Sequence, residues 1–286
     1  MNRKIILSSD STCDLSADIK EKYSVNFFPY HILLDEQDYI DNVTITPTEL
    51  FDVYYKKKLL PKTAAINSAE YGEYFKKWVD EGYDVIHFSL GSALSKSYHN
   101  CTIAAEEIGH VYPIDSCNLS TGIGLLVMEA GELIKAGLCA EEIKDKINAM
   151  ISTSHASFVL DTLEFMRAGG RCSAVAAFGA NLLQLKPCIE VDNANHGSMK
   201  VTKKYRGSLA SVLVSYVKDR LAAYDNIRTD KIFITHSGID QQYIDIVRDT
   251  INSVMKFDNI YVTTASCTIS CHCGPNTLGI LFLTEN

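Results

Sequence analysis

Short apolar runs alternate along this chain with longer amphipathic stretches, joined by brief polar connections. Ile5-Ile6-Leu7, Asp84 to Ser89 and His110 to Ile114 read as buried strands, and amphipathic segments separate them. Strand-helix-strand order with short connections makes a parallel sheet covered by helices. A helix is expected from Thr46, which is followed by Pro47 and Glu49, and a second from Asn67, with Glu70 three residues on. Both are capping boxes, the first with a proline at the first helical position. Further helices are expected over 16–23, 93–108, 119–136 and 140–152, and residues 25–34 are rich in β-formers.

The second half reads differently. Strands are expected at 157–160, 187–192, 198–204, 231–236, 258–264 and 278–284, with helices over 174–185, 208–223 and 240–254. The loop Asn193-Ala194-Asn195-His196-Gly197 has hairpin chemistry. The expectation is therefore an α/β protein of two domains. Residues 1–152 would form a Rossmann-like parallel-sheet domain, and 153–286 an α/β domain with a mixed or antiparallel sheet.

Composition narrows the function classes. The 286 residues carry a net charge of −8, which argues against a protein built to grip nucleic acid. No apolar run approaches the roughly 18 residues of a membrane span. The apolar run after Arg3-Lys4 is too short for a signal peptide. Nine cysteines is an odd number, read as reduced thiols in a cytoplasmic protein.

Three strands of the first half end in hydroxyl-rich turns: Ser8 to Thr12, Ser89 to Ser97, and Asp115-Ser116 with Ser120 and Thr121 beyond. In a parallel sheet these turns share one edge, where ligands bind. Each Ser or Asp could equally cap the helix that follows. Gly91-Ser92 is the sharpest signal, since a glycine admits close approach and a helix start favours an anion. Ser95 adds a hydroxyl. The segment is neither a Walker A loop nor a G-x-S-x-G elbow. Gly169-Gly170-Arg171 reads as a tight turn presenting a cation, or as a helix C-cap beside a surface arginine. Cys267, Cys271, His272 and Cys273 invite a zinc reading. Consecutive residues on a strand point to opposite faces, and no C-x-x-C pair completes the set, so no metal or cofactor is expected. His272, before Gly274-Pro275, reads instead as a positioned imidazole, and His87 as a satisfied core group.

Seven segments in order resemble the DegV family along the whole chain. They are Asp10-Ser11-Thr12-Cys13-Asp14-Leu15, Pro61 to Ile66, Ser92 to Tyr98, Ile114-Asp115-Ser116, Leu163 to Arg171, Lys186-Pro187 and His272 to Gly279. The resemblance implies a two-domain protein that binds one long-chain fatty acid at the domain interface. It implies presentation of that acid to a separate kinase subunit, which makes the acyl phosphate for phospholipid synthesis. It also implies no catalysis by this chain alone, and at most transient membrane contact. The implied carboxylate binders are Thr63 and Ser92, with His272 and Arg171 beside them and Gly91 and Ser95 in the same loop. Phe165, Phe178, Leu182 and Leu183 are candidates for an acyl tunnel, and each could equally be core. Ala64, Lys96 and Asn276 depart from the family pattern. Asn276 stands for a glycine, and asparagine tolerates positive φ. A competing reading makes Ser92 or Ser95 the nucleophile of an ester or thioester hydrolase with His272 as base. That reading lacks an acid to orient the histidine. A third is a small-molecule sensor with a regulatory partner.

Overall fold

The computed structural model describes residues 3–176 and 185–285. The first half runs β1 (Ile5–Asp10), α1 (Ala17–Tyr23), β2 (Asn26–Phe28), β3 (His31–Leu34), β4 (Gln37–Ile40), α2 (Pro47–Lys57), β5 (Lys62–Ala64), α3 (Ser68–Asp80), β6 (Asp84–Ser89), α4 (Ser97–Ile108), β7 (Val111–Asp115), α5 (Thr121–Lys135) and α6 (Ala140–Met150). The second half runs β8 (Ser154–Val159), α7 (Glu164–Gly169), α8 (Ser173–Ala176), β9 (Leu185–Asp192), β10 (Ser198–Arg206), α9 (Leu209–Leu221), β11 (Ile227–Ser237), α10 (Gln241–Val254), β12 (Ile260–Thr264), α11 (Cys267–Cys273) and β13 (Thr277–Thr284).

Both capping boxes form. The Thr46 hydroxyl accepts from the Glu49 N–H at 3.3 Å, while the Thr46 N–H donates to the Glu49 carboxylate at 2.8 Å. Asn67 and Glu70 exchange the same pair of bonds at 3.0 and 2.8 Å. Strands β2, β1, β6 and β7 make an all-parallel sheet in that order. The second sheet has the order β10-β9-β8-β13-β11-β12, and only its β11–β12 pair is parallel. The expected hairpin is β9–β10, closed by residues 193–197.

One expectation is refined and two need correction. The β-rich residues 25–34 supply two strands, which is a refinement: β2 joins the parallel sheet, whereas β3 pairs antiparallel with β4 and β5 in a separate three-stranded sheet. Pro29 separates the two strands and cannot donate to a ladder. The helix expected from residue 93 begins at Ser97, because the Ser95 hydroxyl accepts from the Ser97 N–H and holds the preceding chain as a loop. Residues 267–273 form a helix rather than a strand. Its start was signalled by Ser266, whose hydroxyl accepts from the Ile269 N–H at 3.4 Å. The helix expected over 174–185 lies largely outside the described residues.

The strands of the parallel sheet all precede residue 116, and those of the six-stranded sheet all follow residue 153. Helix α5 is buried over almost its whole surface and lies between them, touching β1 and β6 on one side and β8 and β13 on the other. A helix apolar all round is a core helix. Its apolar cluster continues through Phe158, Ile189 and Leu281 of the second sheet. A second cluster fills the space under α9 and α10, and a third lies between α2, the small sheet and α11.

Candidate functional site

Two buried carboxylates of the first half fix the start of α11. Asp14 accepts from the Ser266 N–H at 2.9 Å and the Ser120 hydroxyl at 2.5 Å. Asp41 accepts from the Cys267 N–H at 2.8 Å and the Thr268 hydroxyl at 2.7 Å. Carboxylates suit the free N–H groups of a helix start. Burial nevertheless pushes the Asp14 carboxyl up to about 7, and that of Asp41 up as well. Helical spacing then sorts the side chains. Cys267 and Cys271 are buried in the cluster under α2, whereas Thr268, Ile269, His272 and Cys273 line a cavity. The thiols of Cys267, Cys271 and Cys273 are all pushed up by burial, as expected of packed core cysteines.

The cavity encloses about 670 Å³ of empty space, part of it open to solvent. Its polar wall consists of Thr63 on β5, Ser95 and Lys96 after β6, Arg171 after α7, and Thr268 and His272 on α11. The remainder is largely apolar, with Leu90, Leu94, Leu119, Met166, Met199 and Ile269. A second cavity of about 330 Å³ shares the walls Leu119, Ile269 and Cys273 and reaches Phe158 and Leu281 of the second sheet. Its hydroxyls are engaged elsewhere, Ser157 with Tyr216, Ser237 with Ser270 and Thr277 with the Cys273 carbonyl. What it offers a ligand is therefore mostly hydrocarbon surface, with one polar exception: His236 also lines it, and its buried Nδ1 has no hydrogen-bond partner.

The Thr63 hydroxyl and the His272 Nε2 lie 3.1 Å apart. Burial, aided by the Arg171 cation, pushes the imidazole down to about 4, so it is neutral at pH 7. Its Nδ1 is buried and has no hydrogen-bond partner. A buried N–H without an acceptor is the costlier orphan, which assigns the proton to Nε2. The histidine then donates to Thr63 and leaves the threonine O–H free to donate into the cavity. Arg171 is anchored through bonds to the carbonyls of Gly169 at 2.6 Å and Leu94 at 3.4 Å. Gly170 caps α7 with a φ of 66°, so the tight-turn and the C-cap readings of Gly169-Gly170-Arg171 hold together.

Ser95 is backed by a buried network. Its Oγ takes a bond from the Tyr30 hydroxyl at 3.2 Å. The same phenol lies 3.4 Å from Asp10, which also accepts from Tyr71 at 2.6 Å, the Leu90 N–H at 3.0 Å and His87 Nε2 at 3.0 Å. His87 is a satisfied core group, its Nδ1 meeting the Ser8 hydroxyl at 2.9 Å. Tyr30 and Thr268 were not foreseen as cavity residues. Tyr30 lies outside every polar motif, and Thr268 sits inside a segment read as strand.

Ser92 and Gly91 are brought elsewhere. The Ser92 hydroxyl donates to Asp115 at 2.6 Å and its N–H to the same carboxylate at 3.1 Å. Close approach at Gly91 is real, but what approaches is protein: a β-carbon there would lie 2.9 Å from the His196 carbonyl oxygen. The β9–β10 hairpin tip covers this part of the sheet edge, and neither residue lines the cavity. Phe165 packs edge-on against Tyr54 and Phe51, with ring centroids 4.6 and 5.8 Å away, and is core rather than tunnel wall. Phe178, Leu182 and Leu183 lie outside the described residues. Asn276 adopts a φ of 60°, so the turn after His272 survives without its glycine.

A family model described as an uncharacterised protein of the DegV family matches residues 4–285. A DegV domain-containing protein of Clostridium perfringens is 27% identical over 287 residues, covering 99% of each chain. Two solved structures share the fold. One, titled as fatty acid binding of a DegV family protein from Thermus thermophilus, is 25% identical with a TM-score of 0.89, covering 99% of this chain and 100% of that one. The other, a stearic acid-binding protein from Eubacterium ventriosum, is also 25% identical, with a TM-score of 0.82 and coverage of 99% and 98%. The chain belongs to the DegV family.

Proposed function

We propose that this protein binds one long-chain fatty acid and presents its carboxylate to a separate kinase subunit for conversion to the acyl phosphate. The Thr63–His272 pair at the polar wall of an otherwise apolar cavity carries the reading. A carboxylate taken out of water needs several donors or it takes up a proton. Thr63 offers a hydroxyl, Ser95 offers one by turning it from Ser97, to which it donates at 3.1 Å, and Arg171 and Lys96 offer charge. The acyl chain runs along the Leu and Met wall and on into the adjoining apolar cavity. Ser92 supports this site indirectly, by tying its loop to Asp115. Binding by solved relatives named for fatty acids supports the same ligand class.

The hydrolase alternative is disfavoured by the hydrogen bonds. His272 meets Thr63 rather than either serine, and no carboxylate among the described residues partners its Nδ1. The test is denaturing extraction of the purified protein with mass spectrometry. A stoichiometric long-chain acid is expected. An empty protein that also fails to take up oleate or palmitate would overturn the reading, and labelling by a fluorophosphonate would favour the hydrolase.

A further inference from the structure

The covered part of the sheet edge holds a cluster that the fatty acid site does not use. Asp115 ends β7, Cys117 follows in the next turn, and His196 sits at the tip of the β9–β10 hairpin. Their ligand atoms, a carboxylate oxygen, the thiol sulfur and an imidazole nitrogen, all lie within 4.8 Å of one another. Asp115 keeps one acceptor site open, on Oδ2. It accepts from the Ser92 N–H and hydroxyl and from the Cys117 N–H at 3.1 Å, three of the roughly four lone-pair sites of a carboxylate. His196 Nδ1 stands 3.8 Å from Oδ2, too far for a hydrogen bond. Two ligand atoms each about 2.1 Å from one tetrahedral ion stand about 3.4 Å apart, so a small side-chain rotation closes the difference.

The backbone under the three residues is rigidly held. The Asn193 side chain donates to the Cys117 carbonyl at 3.1 Å, and the Ala93 N–H donates to the His196 carbonyl at 3.0 Å. A β-carbon on Gly197 would lie 2.8 Å from the Cys117 carbonyl carbon. Cys117 and His196 both hold left-handed backbone, with φ of 46° and 56°. The two turns are therefore locked against each other, and the cluster is a fixed feature of the fold.

We infer that Asp115, Cys117 and His196 form a binding site for a zinc-type divalent cation, with solvent as fourth ligand. Thiolate and imidazole select such an ion over magnesium or calcium. On binding, the Cys117 thiol gives its proton to solvent and the sulfur bonds to the ion. The ion joins β7 to the hairpin of the other sheet, so it staples the two sheets beside the loop that carries Ser95. Because no residue of the fatty acid cavity is a ligand, the site stands or falls independently of the lipid.

Cobalt(II) titration of the chelator-stripped full chain tests this, because a cobalt–thiolate bond gives a charge-transfer band. One equivalent with that band is expected. Cys117→Ser should abolish the band, and His196→Asn should weaken cobalt affinity at least tenfold. Asparagine tolerates the positive φ, and His196 is exposed, so this second variant keeps its fold. No uptake of cobalt, a band that survives Cys117→Ser, or unchanged affinity in His196→Asn would each overturn the assignment. If Cys117→Ser does not fold, His196→Asn decides alone.

Discussion

Gly169 lies so close to His272 that a β-carbon at position 169 would stand 2.1 Å from the imidazole Nδ1. The last residue of α7 is thus the floor on which the ring rests, and the ring in turn sets the direction of the Thr63 hydroxyl. A glycine is required here for proximity, since only Gly170 of the pair has a left-handed φ.

Gly169→Ala should therefore act as a site mutation. The ring must move, and Thr63 loses its orienting donor. Oleate affinity should fall by about 1.5–3 kcal/mol, the worth of a hydrogen bond to a charged group. Isothermal titration together with a urea melt would check it. Unchanged affinity in a folded variant would remove His272 from the site.

Ser95→Ala and Ser92→Ala should separate. Ser95 faces the cavity, so its loss should weaken fatty acid binding by a similar 1.5–3 kcal/mol. Ser92 instead satisfies Asp115, so its loss should cost about 1–3 kcal/mol of folding stability and leave affinity nearly unchanged. The reverse pattern would restore Ser92 as the contacting residue.

Acid should destabilise the fold through its buried histidines. Burial pushes both His155 and His272 down to about 4. Each is protonated more readily in the unfolded chain, near pH 6.5, than in the native one. Their contribution is intact above pH 6.5 and is lost as pH falls from there to about 4, at up to about 1.4 kcal/mol per pH unit for each group. Asp14, raised to about 7, works the other way: its contribution is intact below about pH 4 and is lost as pH rises through 7. A difference experiment isolates one histidine. His155→Gln should lose about 1.4 kcal/mol less per pH unit than the wild type between pH 6.5 and 4, read from urea melts. Parallel curves would show that His155 carries no such shift.

Asp10→Ala should be the costliest polar substitution in the first half. It strands the donors of Tyr71, His87 and Leu90 in a site closed to water. Each buried donor left without its acceptor costs about 1–3 kcal/mol, so three together cost roughly 3 kcal/mol or more. Chemical denaturation should show a loss of that size. A variant within 1 kcal/mol of wild type, on the same scale, would mean the network is not fully formed.

The local code was legible because it acts over a few residues. Thr46-Pro47 and Asn67 announced their helices, the apolar runs announced the parallel strands, and Asn193 to Gly197 announced a hairpin. Ordered motifs along the chain carried the family and the ligand class. The sequence also placed Thr63, Arg171 and His272 as candidates, and all three face one cavity. What it could not decide was which polar residues on the shared sheet edge stay open. Ser92 and Ser95 are three residues apart with the same side chain. The pairing of β6 with β7 brings one to Asp115, a hairpin more than a hundred residues away covers that side, and the other is left in the cavity. Likewise, the clamp of Asp14 and Asp41 on α11 joins partners more than two hundred residues apart, and the three-stranded sheet pairs β3 with a strand about thirty residues on. Such choices depend on packing between distant segments, and the composition of a single segment carries no record of its partner.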